Sequence, residues 1–393
     1  MEDLFKRQRT FLRAVGHALP ANPREQQKHL GIQWTLMHGF AALLVASAQW
    51  PMASYCIYHR NDLSLATAGL SIMFTNVLAV IKMSTFLCGK QKFYELMTTF
   101  TVMFEESKLR DPFAKQVLQT ENLKSTRLVK VYFTSTLCTG VYFMMAPFAR
   151  MLWARLMTKD SHVRELPMPM RFSFDFVSTP GYELAYIYTG CVTVVVVLYS
   201  CAVDGIFLAF VINIRAHFRS LQNFIENRRC LKNDNAKIYQ DIANLVQYHN
   251  ILLRLSHEVC QIYKPVVFGQ FLMTSLEVCL IVYQLVTVCL YFVINYMNLL
   301  TYGSFLCSIM LQLFIYCYGG EIICNESLTV GIAVQLSDWY NLSPRYRHIL
   351  LLMLLRSQRP VTIRAVFYVA SLANFMLILK AAMSYITLIQ SIE

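Results

Sequence analysis

An all-α membrane protein with seven transmembrane helices is the fold this sequence predicts, and three observations predict it. Apolar residues make up 56% of the chain and charged residues 15%, whereas soluble domains run nearer one-quarter charged. Several stretches hold no Asp, Glu, Lys or Arg over about 20 residues or more, the length a helix needs to cross a hydrocarbon core. Between those stretches the Lys and Arg residues are alternately dense and sparse, as happens when one side of a membrane carries the positive loops.

The elements follow in chain order. Residues 1–30 carry Lys6, Arg7, Arg9, Arg13, Arg24 and Lys28 and are broken by Pro20 and Pro23. They read as a cytosolic N-terminal segment; the apolar run behind them is too long for the core of a cleavable signal. Span one is expected within His29–His59, span two over Leu63–Ile81 and span three over Val131–Ala149. Span four covers Leu184–Ile214, interrupted only by Asp204. Val278–Gly320 is uncharged and about twice as long as one crossing requires. It is therefore divided into span five (Lys264–Asn295) and span six (Leu299–Cys324), with the turn at Asn295, Asn298 and Gly303. The seventh span is read over Val361–Gln390. Ile349–Leu355 is apolar but too short to cross, and Arg345, Arg347, Arg356 and Arg359 flank it. It should form a helix beneath the membrane, started by Ser343 as N-cap and Pro344 in the first turn.

The basic gaps are expected to fold. After Asn233-Asp234-Asn235, the residues Ile238, Ile242, Leu245, Leu252 and Val259 recur at helical spacing. Asp111-Pro112 opens another helix that can run into span three. Spans four, five and six should thus extend below the membrane, with 215–263 and 325–360 supplying cytosolic helices that pack together. Of the 35 Lys and Arg residues, 27 lie in the N-terminal segment and the gaps after spans two, four and six, and six lie in the alternate gaps. That asymmetry puts the N-terminus in the cytosol and the C-terminus outside.

The chemistry of an enzyme is missing. There is no Walker loop, GxGxxG, HExxH or GxSxG, and the nine His residues do not cluster at ligand spacing. No cofactor and no metal is implied. The 12 cysteines are scattered singly without a CxxC, so they read as small apolar fillers. A net charge of +12 would suggest nucleic acid in a soluble protein. Here the basic residues sit in cytosolic loops, so their partner is anionic lipid and not nucleic acid. Charges inside a span are costly and point to function, which singles out Asp204, Glu277, Glu321 and Lys380. Lys82 and Lys264 read as side chains that snorkel to the inner boundary.

The C-terminal part carries a resemblance. Phe314-Ile-Tyr-Cys-Tyr318 followed by Gly319-Gly320-Glu321, then Asp338-Trp339-Tyr340, and then Leu350-Leu-Leu-Met-Leu-Leu-Arg356-Ser357-Gln358-Arg359-Pro360 resemble the end of span six and the segment after it in insect odorant receptors. Phe375-Met-Leu-Ile-Leu-Lys380-Ala-Ala-Met-Ser-Tyr385 resembles their final helix. The likeness is specific over about 302–391 and one of length and topology elsewhere. The short cytosolic gaps resemble a tuned, odorant-binding subunit and not the longer shared co-receptor. The resemblance implies a ligand-gated, non-selective cation channel in the plasma membrane of olfactory sensory neurons, a heterotetramer of tuned subunits and co-receptor. It implies that the cytosolic helices form the anchor of the tetramer, that 361–393 lines the pore, and that 31–214 with spans five and six (264–324) holds a small volatile odorant in the outer half of the membrane.

Depth along each span then nominates ligand contacts. They are Leu70, Met73 and Phe74 on span two; Gly140, Phe143 and Met144 on span three; Tyr186, Ile187 and Tyr188 on span four; and Tyr302 and Phe305 on span six. The aromatic crowding suits a small aromatic volatile, since such pockets are apolar with one or two polar points. Thr387, Gln390 and Ser391 share one face of the last helix. Alignment with the co-receptor's ending puts Thr387 at its apolar gate position and Gln390 at the Gln that follows, and Thr387 departs there from the usual bulky apolar residue. Two other readings stand beside this one. A gustatory-type channel would work without a co-receptor, and Ser384-Tyr385 with Gln390-Ser391 matches that ending imperfectly. A G-protein-coupled receptor would place the N-terminus outside, and this chain lacks the Asp-Arg-Tyr and Asn-Pro-x-x-Tyr motifs of that class.

Overall fold

Uncharged runs become helices, and most of the helices continue well past them. A computed structural model describes residues 5, 9–10, 32–110, 112–157, 164–227, 235–290 and 296–392. In chain order these form α1 (Ile32–Ser47), α2 (Gln49–Tyr58), α3 (Leu63–Arg110), α4 (Pro112–Met157), α5 (Gly181–Asn227), α6 (Asn235–Leu290), α7 (Tyr296–Leu336), a 3-10 turn (Trp339–Asn341), α8 (Pro344–Ser357), the strands β1 (Arg364–Ala365) and β2 (Tyr368–Val369), and α9 (Leu372–Ile392). Among the described residues six segments are long and apolar enough to cross a membrane, and Leu372–Tyr385 adds a shorter apolar helix. The helix that Asn233-Asp234-Asn235 announces merges with span five into the single α6, through Pro265.

The boundaries differ from the sequence reading in three places. The first apolar run is two helices. Pro51 has no N–H for the Ser47 carbonyl, so the ladder breaks there, although Ala48 keeps helical angles (φ −66°, ψ −18°). Helix α6 is described to Leu290 and α7 from Tyr296, so Asn298 and Gly303 lie inside α7 and do not make the turn; Asn295 is outside the described residues. The seventh helix begins at Leu372, not Val361. Residues 361–371 instead hold an antiparallel hairpin in which Arg364 pairs with Val369 and Ala365 with Tyr368. Those residues are apolar because protein covers them, with Val361, Ile363, Ala365 and Ala370 all buried. The short helix forms where expected as α8, after an extended Ser343 with Pro344 in the first turn. Ser343 starts it with its backbone carbonyl, which accepts from Tyr346 and Arg347, and not with its hydroxyl.

Helix α5 is the centre of the bundle, with every residue from Cys201 to Ile214 buried. Around it, α4 and α7 pack against α5, and α3 packs against α6. In lipid, burying apolar surface between helices gains little, because the tails are as apolar as the side chains. Close packing and polar contacts must hold the helices together. Phe207 of α5 supplies the first, its ring centroid 4.7 Å from that of Tyr316 and 4.9 Å from that of Tyr263. At the basic end of the bundle Arg219 reaches Glu121 at 2.9 Å and Glu326 at 3.1 Å, and Arg215 reaches Glu326 at 3.3 Å, which ties α4, α5 and α7. The outward faces stay apolar, with Leu43, Trp50, Val141 and Leu184 exposed, as lipid-facing residues should be.

The last helix is seated from α7. Glu321 Oε2 accepts from the Leu372 N–H at 3.3 Å, and the Ser371 hydroxyl accepts from the Asn374 N–H at 3.3 Å. A carboxylate beside the first turn satisfies an orphan donor and complements the helix dipole. Phe314 of α7 meets Phe375 edge to face at 5.5 Å. Helix α9 thus rests on α6 and α7, while Met376, Leu377, Met383 and Tyr385 remain exposed along it.

Candidate functional site

Lys82 of α3 and Asp204 of α5 form an ion pair at 2.8 Å with side chains 1% and 0% exposed. Lys82 is therefore not a snorkelling residue: its ammonium is held inside the bundle. Lys264, by contrast, is exposed, as is Lys380. An isolated charge there would be prohibitive, and a pair is tolerable only when its remaining donors and acceptors are filled. They are filled from two further helices, so that the network joins four. Asp204 Oδ2 also accepts from the Tyr132 hydroxyl of α4, and Oδ1 accepts from the Tyr316 hydroxyl of α7. Lys82 Nζ donates a second bond, 3.3 Å long, to Gln312 Oε1 of α7.

Gln312 also lines a cavity of about 90 Å³, several times what one water occupies. Thr136 and Ser200, one turn from Tyr132 and Asp204, line it too, so the ion pair and its partners adjoin its floor. The walls are Ile72 and Thr75 of α3, Thr139, Gly140 and Phe143 of α4, Thr193, Val196 and Val197 of α5, and Phe305, Ser308 and Ile309 of α7, with Met168 from the segment between α4 and α5. Phe143 and Phe305 meet edge to face at 5.5 Å. Gly140 is required by close approach: a Cβ there would lie 2.8 Å from Val197 Cγ2. Thr75 donates to Glu277 Oε1 at 2.8 Å, which brings α6 in behind the wall. The lining is apolar with a few polar points, the character of a site for a small, mostly apolar molecule. Among the described residues no cluster of His, Cys, Asp or Glu could hold a metal.

The family model described as 7tm Odorant receptor matches residues 62–383. The chain belongs to the insect odorant receptor family. It is 45% identical to Odorant receptor 82a of Drosophila melanogaster, with 100% of both chains covered, and 25% identical to Odorant receptor 47a of the same fly over 100% of each. Its fold is that of the olfactory receptor OR5 from the insect Machilis hrabei, solved in complex with eugenol. The TM-score is 0.82 at 18% identity, and the match covers 99% of this chain and 98% of that one. This odorant receptor is accordingly a multi-pass membrane protein of receptor type.

The residues nominated from the sequence of this odorant receptor fall in several places. Gly140, Phe143 and Phe305 line the cavity. Tyr302 packs beside them in the cluster around Phe305, Val278 and Ile281. Met73 and Tyr188 pack against a separate cluster of Val45, Met52, Met170 and Val192, and the Tyr188 hydroxyl bonds that of Ser47 at 2.7 Å. Met144 lies against Gly190, and its carbonyl accepts from the Tyr186 hydroxyl at 2.6 Å. Leu70 and Phe74 are half-buried on α3. Ile187 is 62% exposed, turned away from the bundle. Thr387 is exposed on α9, its hydroxyl donating to the Ser384 carbonyl at 2.9 Å; Gln390 and Ser391 continue that helix, and their side chains lie outside the described residues. Sequence reasoning missed the floor. Lys82, Asp204 and Gln312 all interrupt or border apolar runs, and pairing the two opposite charges would have found it.

Proposed function

We propose that this odorant receptor is a tuned subunit that binds a small volatile odorant in the cavity between α3, α4, α5 and α7 and thereby opens a cation channel formed with a co-receptor. The charge asymmetry supports a cytosolic N-terminus and an extracellular C-terminus, in the plasma membrane of olfactory sensory neurons. The observation that carries the reading is the continuity of α7. One uninterrupted helix presents Phe305, Ser308 and Gln312 to the cavity and, from Gly320 and Glu321 onward, seats the last helix. A ligand can shift a conformational equilibrium only by binding one state better than the other. Here an odorant that fits one position of α7 relative to α4 and α5 favours the matching position of α9. The solved relative in complex with eugenol supports a volatile of that size class. The exposed side of α9, including Thr387, is the face available to line a pore with neighbouring subunits, and Gln390 and Ser391 would continue it.

Whole-cell recording during a panel of volatiles, in cells expressing the chain with and without an insect co-receptor, tests this. The expected result is an odorant-evoked cation current that requires the co-receptor and persists without GTP. Current from this chain alone would favour a self-sufficient gustatory-type channel. Loss of current when GTP is withheld would favour a G-protein-coupled mechanism.

A further inference from the structure

We infer that Gln312 is the oriented hydrogen-bond donor of this cavity, and that it selects volatiles bearing an acceptor oxygen (a carbonyl, ester or ether) over hydrocarbons of the same shape. The inference rests on the cavity being the odorant site.

The orientation of the amide follows from its neighbour. An ammonium offers donors and no acceptor, so the Gln312 oxygen must face Lys82, where it accepts at 3.3 Å. The NH2 group is thereby placed on the other side, toward the cavity that Gln312 lines. It makes no hydrogen bond within the protein among the described residues, although Gln312 is only 9% exposed. An amide N–H left unpaired against an apolar wall is costly, so an acceptor supplied by the ligand is favoured there.

The other polar groups of the wall do not duplicate this donor. Thr136, Thr139 and Thr193 donate to the carbonyls of Tyr132, Ser135 and Thr189, one turn back, at 3.0, 3.0 and 2.8 Å, and Thr75 donates to Glu277. With their protons so engaged, these oxygens can only accept. Ser200 and Ser308 carry rotatable hydroxyls and impose no polarity. The fixed donor is therefore Gln312, anchored from behind by a charge that cannot turn it round. A site built to donate a hydrogen bond discriminates strongly against an analogue lacking the acceptor, because the donor is then left unpaired.

The test uses the full receptor expressed with its co-receptor and a panel of matched pairs in which a carbonyl oxygen is replaced by a methylidene group, such as acetophenone and α-methylstyrene, with linear ketones and their methylidene counterparts. Half-maximal concentrations are measured for the wild type, Gln312→Met and Gln312→Glu. Gln312→Glu keeps an acceptor for Lys82 while removing the cavity-facing donor, so it serves even if Gln312→Met fails to reach the surface. The wild type is expected to prefer the ketone of an active pair by about tenfold, and each variant to lose that preference. A wild type that answers to hydrocarbons equally well, or to no oxygenated member of the panel, overturns the inference. Ser308→Phe, which fills the cavity, separates the two levels. If it weakens both members of a pair while the Gln312 variants shift neither, the cavity reading stands and the role of Gln312 falls. If Ser308→Phe changes nothing, the cavity reading itself falls, and the inference with it.

Discussion

Asp204→Ala is expected to remove most of the receptor from the cell surface. The carboxylate accepts from Lys82, Tyr132 and Tyr316 at once, and its loss leaves a fully buried ammonium with Gln312 as its one remaining acceptor among the described residues. Stranding one member of a buried pair typically costs about 3–5 kcal/mol, whereas replacing both by apolar groups of similar size is often neutral. The double variant Lys82→Met, Asp204→Leu should therefore recover much of the surface signal that the single variant loses. Lys82→Met alone should be milder than Asp204→Ala, because the carboxylate keeps two tyrosine hydroxyls. Surface biotinylation against total protein reads all three. Normal trafficking of Asp204→Ala would show that the pair contributes nothing to the fold.

The second large effect is expected at Gly320. A Cβ on this residue would overlap the Ala370 carbonyl oxygen and lie 2.7 Å from the Ala370 Cβ. The obstacle is backbone, so no rotamer relieves it, and either α7 or the hairpin must move. Overpacking of this kind costs about 1–3 kcal/mol, and it acts two residues before Leu372, whose N–H is held by Glu321. Gly320→Ala is thus expected to unseat the last helix and to reduce maximal odorant-evoked current at least about tenfold per receptor at the surface. Gly303→Ala is the matched control: nothing lies within 4 Å of its added Cβ, and it should behave as the wild type. Equal currents from the two variants would contradict the seating of α9 described above.

The class of fold was legible because uncharged runs of sufficient length have one economical solution in lipid, a helix. The ends of those helices were less so. The uncharged character of Val278–Gly320 gave no cue that α7 is already helical from Tyr296, and helix-compatible Asn298 and Gly303 looked like part of the turn. The hairpin at 361–371 was read as span because burial under protein and burial in lipid select the same apolar residues; only Arg364 betrays it. Depth along a span could be counted, which is how Gly140, Phe143 and Phe305 were nominated. The direction a side chain faces could not, since a helix in lipid is apolar on both sides and has no strong moment to read. Tyr186 and Ile187 are neighbours in sequence, yet one bonds across to α4 and the other is exposed. The ion pair escaped for a different reason: Lys82 and Asp204 are 122 residues apart, and a single Lys near a span end resembles a boundary residue until its partner is found.

The most direct test is a structure of the assembled receptor bound to whichever volatile evokes the largest current. Ligand density is expected between Phe143, Phe305 and Gln312, inside the cavity bounded by α3, α4, α5 and α7. Density at any other place, with that cavity left as it is, would contradict the assignment of the odorant site.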